Sequence, residues 1–145
     1  MAVYTKISSS KLDDLLQNYN IGNCIDLISI EEGVENSNYF LVTEEKKYVF
    51  TVYEKRIREE DLPFFLQLMQ HLSQKGFPCP VPIKNKQGEF LSQILDKKCV
   101  IVSFLEGKGV KKIHNYHLQE LGIYLAKMHL STICLLYTSD AADES

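Results

Sequence analysis

The chain has 145 residues, of which 45% are hydrophobic and 24% are charged, with a formal net charge of −3. This composition is typical of one globular domain with a real core, and the slight negative charge argues against a general nucleic-acid binder, which would present a basic face. No apolar run approaches the roughly 20 residues needed to span a bilayer and no signal peptide is evident, so we expect no membrane contact and a cytoplasmic location.

The first part of the chain predicts one helix followed by three strands. Ser10 is a suitable N-cap. The apolar residues after it recur at helical spacing on one face: Leu12, Leu15, Leu16 and Tyr19. Three runs rich in β-branched and aromatic residues then predict strands over 25–30, 39–43 and 48–53.

The turn between the first two strands is the main candidate for binding chemistry. One glycine followed by small polar residues makes a tight turn with exposed backbone N–H groups, and such turns suit phosphates. The candidate residues are Gly33, Val34, Glu35, Asn36, Ser37 and Asn38. A single glycine is far from the G-x-G-x-x-G fingerprint, so an ordinary hairpin turn is the alternative interpretation.

A charged segment over 54–60 precedes the second helix. We favour a solvated connection for it, with a phosphate contact from Lys55, Arg56 or Arg58 as the functional alternative.

The second helix has recognisable ends. Asp61 is a good N-cap, Pro63 is tolerated in the first turn, and Lys75 followed by Gly76 ends the helix. The predicted buried stripe comprises Leu62, Phe65, Leu66, Met69 and Leu72.

The rest of the chain predicts an extended proline-rich connection over 77–82, two strands and a last helix. The strands cover 90–95 and 99–104 around a turn at 96–98, and the helix begins at Asn115. Gly122 within that helix suggests a close backbone contact. The order favours an α+β fold with a five-stranded antiparallel sheet and a packed helix.

Cysteine and histidine usage gives no metal site or disulfide framework. The four cysteines are scattered without a C-x-x-C pair, and small core residues in a reducing compartment are the expected role. His114 and His117 form an H-x-x-H pair, for which a polar helix start is favoured over metal binding.

Several stretches together resemble the homoserine kinases of the aminoglycoside-phosphotransferase-like group, whose fold is protein-kinase-like. The resemblance runs from Met1 to about His129. The shared stretches are 1–5 (MAVYT), 32–40 (EGVENSNYF), 53–56 (YEKR), 60–66 (EDLPFFL), 78–82 (PCPVP), 101–107 (IVSFLEG) and 125–129 (LAKMH).

This resemblance implies ATP-dependent phosphorylation of the side-chain hydroxyl of L-homoserine, a step toward threonine, with Mg²⁺ bridging phosphate oxygens. The turn over 33–38 would cover the ATP phosphates. Ser103, Phe104 and Leu105 would form the hinge, presenting backbone groups to adenine while Phe104 or a neighbour packs on the ring. The resemblance implies no protein partner.

The sequence departs from the family in two ways. The position near Thr51 lacks the lysine that related kinases place on the third strand, so the phosphate-contacting base is left open, and Glu59 and Glu60 are only candidates for its acidic partner. The family's second helical lobe, with its His-x-Asp loop and the Asp that binds Mg²⁺, is missing.

We therefore expect three segments. Residues 1–105 form a nucleotide-binding small lobe, and 106–130 form the hinge crossing and the first helix of a truncated large lobe. Residues 131–145 resemble a translated sequencing adapter, with a divergent natural tail as the alternative. This polypeptide alone should be inactive and should expose the apolar face of the last helix. Choline, an aminoglycoside or another small hydroxyl compound is the alternative acceptor, and a non-catalytic nucleotide-binding module is the alternative class.

Overall fold

The computed structural model describes residues 5–54 and 58–143. The elements in chain order are α1 (Ser9–Leu16), β1 (Cys24–Ile30), β2 (Ser37–Thr43), β3 (Lys47–Val52), a 3₁₀ turn (Glu59–Asp61), α2 (Leu62–Gln74), β4 (Ser92–Ile94), β5 (Lys97–Ser103) and α3 (Asn115–Asp143).

The five strands form one antiparallel sheet in the order β1-β2-β3-β5-β4, which confirms the predicted α+β architecture. The first three strands lie within two residues of their predicted bounds. The predicted strand over 90–95 is reduced to Ser92–Ile94. The prediction that the turn lies at 96–98 is wrong. Leu95 and Asp96 form the turn, with φ of 48° and 61°, and Lys97 already pairs with β4 as the first residue of β5. Two residues with positive φ suit a tight hairpin, since that turn follows the twist of the strands.

Helix α1 packs on one face of the sheet. The four residues predicted at helical spacing are all buried, with Leu12 2% exposed, and they form one core with Phe50 of β3 and Ile101 of β5. The predicted cap is wrong: Ser8 stands at the N-cap in an extended conformation, and Ser10 lies inside the first turn. The Tyr19 hydroxyl, 2.7 Å from the Ser92 hydroxyl, ties the end of this helical segment to β4.

Helix α2 packs on the opposite face. It begins after Asp61 and ends at Lys75 and Gly76, whose φ is +78°, as predicted. Leu66 contacts Val100 and Val102 of β5. Phe65 was expected in the same stripe, and that prediction is wrong, because it lies at the edge of the stripe, is 52% exposed and packs edge-to-face on Phe64.

The proline-rich connection runs beside β5, as an extended segment should. Pro82 bridges Val102, and the Ile83 N–H donates to the Ile101 carbonyl at 2.9 Å. This contact fixes the segment that follows α2 against a central strand.

Helix α3 begins at Asn115 as predicted and continues without a break through residue 130 to Asp143. The contact expected at Gly122 is wrong, because no atom lies within 4 Å of the place where a Cβ would stand. Helix α3 meets α2 where the His71 Nε2 lies 2.7 Å from the Ser131 carbonyl oxygen. No helix in the described part of the chain is both long and apolar enough to cross a membrane.

Candidate functional site

The turn between β1 and β2 lies at the surface. Residues 31–35 are all exposed, and Gly33 has a φ of +113°, a conformation that residues with a side chain rarely adopt. A Cβ at Gly33 would meet its nearest neighbour, Asn38 Nδ2, at 3.7 Å, so the backbone conformation and not lack of space calls for glycine here. Gly33, Val34 and Glu35 therefore belong to an exposed part of the turn.

The second half of the predicted turn points elsewhere. The Ser37 side chain is fully buried, donates to Glu54 Oε1 at 2.7 Å and accepts from the Thr5 N–H at 3.0 Å. Asn36 is half-buried, and its Oδ1 accepts from the Glu54 N–H at 3.4 Å. The side chains of these two residues thus face the protein, while the residues before them are exposed.

The α2-facing side of β1 and β2 is an open surface next to this turn. The strand register sets Ile28, Phe40, Val49 and Val102 in one row across four strands, and paired residues of antiparallel strands point to the same face. Helix α2 contacts the β3 and β5 end of this row through Leu66, while Ile28 stays 46% exposed. We call Ile28, Ile30, Asn38 and Phe40 the open face.

Asn38 belongs to the next row of the open face. Its Oδ1 accepts a hydrogen bond of 2.8 Å from the hydroxyl of Thr51, the residue that stands near the position of the lysine in related kinases. Asn38 and Thr51 are paired in the register, so this bond spans β2 and β3 directly below the turn. The pair offers polar side chains, but no positive charge.

The predicted hinge borders the open face from the other side. Phe104 packs edge-to-face on Phe40 with ring centroids 5.6 Å apart, and the Lys47 Nζ lies 4.1 Å and 4.3 Å from the two ring centres. Leu105 is 46% exposed just beyond β5. Phe104 and Leu105 therefore border the open face just beyond β5, and their role as the hinge stays a prediction.

Ser103 is engaged within the protein. Its N–H donates to the Val81 carbonyl at 2.9 Å, and its hydroxyl accepts from the Val81 N–H at 2.8 Å. The Ser103 N–H is thus already used in holding the proline-rich connection against the end of β5.

A salt bridge between Lys97 and Glu54 was missed at the sequence level. The charged segment over 54–60 was read as solvated, yet the Glu54 side chain is only 12% exposed and that of Lys97 30%. The Glu54 carboxylate accepts from the Lys97 ammonium, from the Thr5 hydroxyl at 2.6 Å and from Ser37. Burial raises the pKa of Glu54, but these three donors outweigh it and hold the pKa below its ordinary value of 4.5.

The remaining charged candidates are differently situated. Lys55 and Arg56 lie outside the described residues. Arg58 is exposed and pairs with Glu60 and Asp61 at 3.2 Å and 3.8 Å, which agrees with a solvated connection. Glu59 lies in the same 3₁₀ turn and is exposed.

The described residues contain no group of three or more His, Cys, Asp or Glu side chains that could hold a metal ion. The His117 Nδ1 instead accepts from the His114 N–H at 3.0 Å, so the H-x-x-H pair forms a polar helix start as expected. Residues 5–54 and 58–143 therefore do not fit Mg²⁺ by themselves.

Comparison with known proteins matches most of the chain. A model of the phosphotransferase enzyme family matches residues 26–134. The homoserine kinase of Methylobacterium radiotolerans is 50% identical over 129 residues, which cover 89% of this chain and 40% of that protein. The homoserine kinase of Parvibaculum lavamentivorans is 46% identical over 131 residues, covering 90% of this chain and 41% of that protein. The chain thus spans about two fifths of the length of the curated relatives that it matches.

Solved structures agree in fold. A spectinomycin phosphotransferase in complex with ADP and spectinomycin superposes with a TM-score of 0.69 at 16% identity, over 89% of this chain and 40% of that one. An AMP-bound complex of a spectinomycin phosphotransferase superposes with a TM-score of 0.64 at 17% identity, over 88% of this chain and 39% of that one. The sheet and helices described above therefore have the protein-kinase-like fold of these enzymes.

Proposed function

Because the chain belongs to the phosphotransferase enzyme family, we propose that it is the nucleotide-binding part of a kinase that transfers the γ-phosphoryl group of ATP to the hydroxyl of L-homoserine. The observation that carries the choice of acceptor is the 46–50% identity to homoserine kinases over about nine tenths of this chain. A role in threonine biosynthesis is part of the same proposal, and the cytoplasmic location stays a prediction.

The open face and the surface turn would hold the nucleotide. The backbone N–H groups from Gly33 to Glu35 would face the phosphates, because amides pointing outward from a turn suit anions. The apolar side chains of Ile28 and Phe40 would contact the base. Phe104 and Leu105 would supply the edge at which the base is recognised.

Ser37 and Ser103, both named from the sequence, would act indirectly. The Ser37 hydroxyl is occupied by Glu54 and Thr5, and the Ser103 N–H is occupied by Val81. We propose that Ser37 supports the turn and that Ser103 holds the hinge strand, while their neighbours contact the ligand.

Phosphoryl transfer depends mainly on alignment and charge neutralisation, which this part of the protein supplies only in part. When bound, Mg²⁺ would supply positive charge to the phosphates, and the described residues contain no group of three or more His, Cys, Asp or Glu side chains that would hold it alone. The activity therefore belongs to the whole protein, in which further residues hold the metal and the acceptor.

The proposal predicts both the acceptor and the role of the turn. In the full-length protein read from the same gene, we expect phosphate transfer from ATP to homoserine at least about tenfold faster than to choline or spectinomycin. Gly33→Ala should raise the KM for ATP about tenfold, because alanine at a φ of +113° costs about 1–2 kcal/mol and distorts the turn. A coupled assay of ADP release measures both.

Gly88→Ala is the matched control. Gly88 is also exposed, has a φ of +85° and no described atom within 4 Å of its Cβ position, and lies in the turn before β4, so alanine strains the backbone there while the KM for ATP should stay unchanged. Faster transfer to another acceptor would remove homoserine from the proposal. Equal effects of the two glycine substitutions would remove the turn from the site.

A further inference from the structure

The Glu54 carboxylate connects three distant parts of the chain. It accepts hydrogen bonds from Thr5 in the N-terminal segment, from Ser37 at the start of β2 and from Lys97 at the start of β5. Lys97 also donates to the Thr5 hydroxyl at 2.5 Å. We call Thr5, Ser37, Glu54 and Lys97 the carboxylate cluster.

The carboxylate cluster is attached to the end of the surface turn. Ser37 is the first residue of β2 and is fully buried, so its hydroxyl has a fixed direction. Asn36, one residue earlier, accepts from the Glu54 N–H at 3.4 Å. Glu54 therefore contacts two consecutive turn residues, one through its side chain and one through its backbone.

The cluster lies behind the open face. Ser37 pairs with Val52 in the register, and Val52 belongs to the core on the α1 side of the sheet. Asn38, the next residue, points to the opposite side and belongs to the open face. A ligand on the open face would thus not contact Glu54, which can influence the turn only through Asn36 and Ser37.

The charge of the cluster is balanced. A buried carboxylate with three donors and one cation is more stable ionised than neutral, because each donor stabilises the anion. Without the negative charge, the Lys97 ammonium would have no anionic partner within the cluster, and the three bonds would weaken together. The charge of Glu54 therefore holds all three segments at once.

We propose that Glu54 is a positioning residue whose ionised carboxylate, paired with Lys97, fixes Asn36 and Ser37 and so directs the backbone amides of the surface turn toward the triphosphate. This inference rests on the proposed function for the identity of the ligand. Whether Glu54 fixes Asn36 and Ser37 can be tested without any ligand. The variants are Glu54→Gln, Lys97→Met and Lys97→Arg, with the exposed Glu45→Gln at the β2–β3 turn as the matched control.

The experiment uses the ¹⁵N-labelled full-length protein read from the same gene, because the separate 145-residue chain is expected to self-associate. Backbone order parameters of Asn36 and Ser37 should fall from about 0.85 to below about 0.6 in Glu54→Gln and Lys97→Met, while those of Leu41 and Phe50 stay unchanged. The same two variants should weaken ATP binding at least about fivefold in calorimetry and adenosine binding less than about twofold, since adenosine lacks phosphates. Lys97→Arg should keep wild-type values, because it keeps the cation.

Unchanged order parameters at Asn36 and Ser37 would overturn the inference, and so would equal weakening of ATP and adenosine. A wild-type chain that binds neither compound would contradict the proposed function for this chain, while the order parameters would still decide the positioning role. If Glu54→Gln does not fold, Ser37→Ala removes a single hydroxyl from the cluster and the same comparison with Leu41 decides the inference.

Discussion

At the scale of single residues, the same turn contains two kinds of residue. Position 33 is exposed and requires glycine because its φ is +113°. Ser37, four positions later, is fully buried in a hydrogen-bonded cluster. Both residues fit a Gly/Ser/Asn turn equally well in the sequence. Only the partners of Ser37, which are 17 and 32 residues away, show that this residue is held within the protein while Gly33 is exposed.

The lowered pKa of Glu54 predicts a pH dependence of stability. Since the folded-state pKa lies below the ordinary value of 4.5, the ionised cluster stabilises the fold fully above that pH, and the contribution is lost as the pH falls through the lowered pKa. At pH 7, Glu54→Gln should reduce the free energy of unfolding by about 1–3 kcal/mol, the usual range for hydrogen bonds to a charged group. Urea unfolding from pH 7 down to pH 3 measures the gap between wild type and variant.

That gap should close toward pH 3, because the protonated carboxyl and the amide are then nearly equivalent. The groups facing Glu54 are the Lys97 ammonium and Tyr39, whose pKa is raised by burial and then by the Glu54 charge. Glu45→Gln serves as the control and should show no such gap at any of these pH values. A gap that does not shrink by the lowest pH at which the wild-type chain still folds would contradict an ionised, stabilising Glu54.

At the scale of elements, the sequence near each end of α2 predicted where the helix begins and ends. The same local pattern predicted its buried face only in part. Pro63 and Gly76 mark the helix because φ preferences act over a few residues, whereas Asp61 stands at the N-cap position without a side-chain capping hydrogen bond. Leu66 and Phe65 are both large, apolar and adjacent, and only the position of β5 decides that the first is 2% and the second 52% exposed.

This difference predicts unequal costs for two neighbouring truncations. Leu66→Ala should lower the free energy of unfolding by about 2–5 kcal/mol, because it removes contacts with Val100 and Val102 and leaves a cavity. Phe65→Ala should cost about 1 kcal/mol or less, as is usual for a largely exposed side chain. Chemical denaturation of the two variants side by side measures both, and equal costs would contradict the observed packing of α2.

At the scale of the whole molecule, α3 presents unpaired apolar surface. Five of its large apolar residues are between 43% and 68% exposed, namely Tyr116, Leu118, Leu121, Leu125 and Leu130. It contacts the His71 imidazole of α2, and its Tyr124 packs edge-to-face on Phe77, which follows α2. A patch of this kind on a separate chain favours association.

We therefore expect the 145-residue chain to self-associate. Its average mass in sedimentation velocity should rise with concentration, because association removes the exposed leucines of α3 from water. The double variant Leu121→Gln with Leu125→Gln should shift this rise to a higher concentration by about tenfold, whereas Glu120→Gln on the same helix should not. A wild-type chain that remains monomeric at about 1 mM would show that the face does not drive association.

The sequence by itself determined the features that depend on neighbours along the chain: the five strands, the start of α3 at Asn115, the ends of α2 and the glycine turn. These follow from propensity, capping and φ preferences, which act over a few residues. The tertiary structure alone decided that Leu66 is buried while its neighbour Phe65 is exposed. It also decided that Lys97 belongs to β5 and that Glu54 lies among Thr5, Ser37 and Lys97. Those contacts join residues up to 92 positions apart, and no local pattern specifies which buried charge will meet which partner across a sheet.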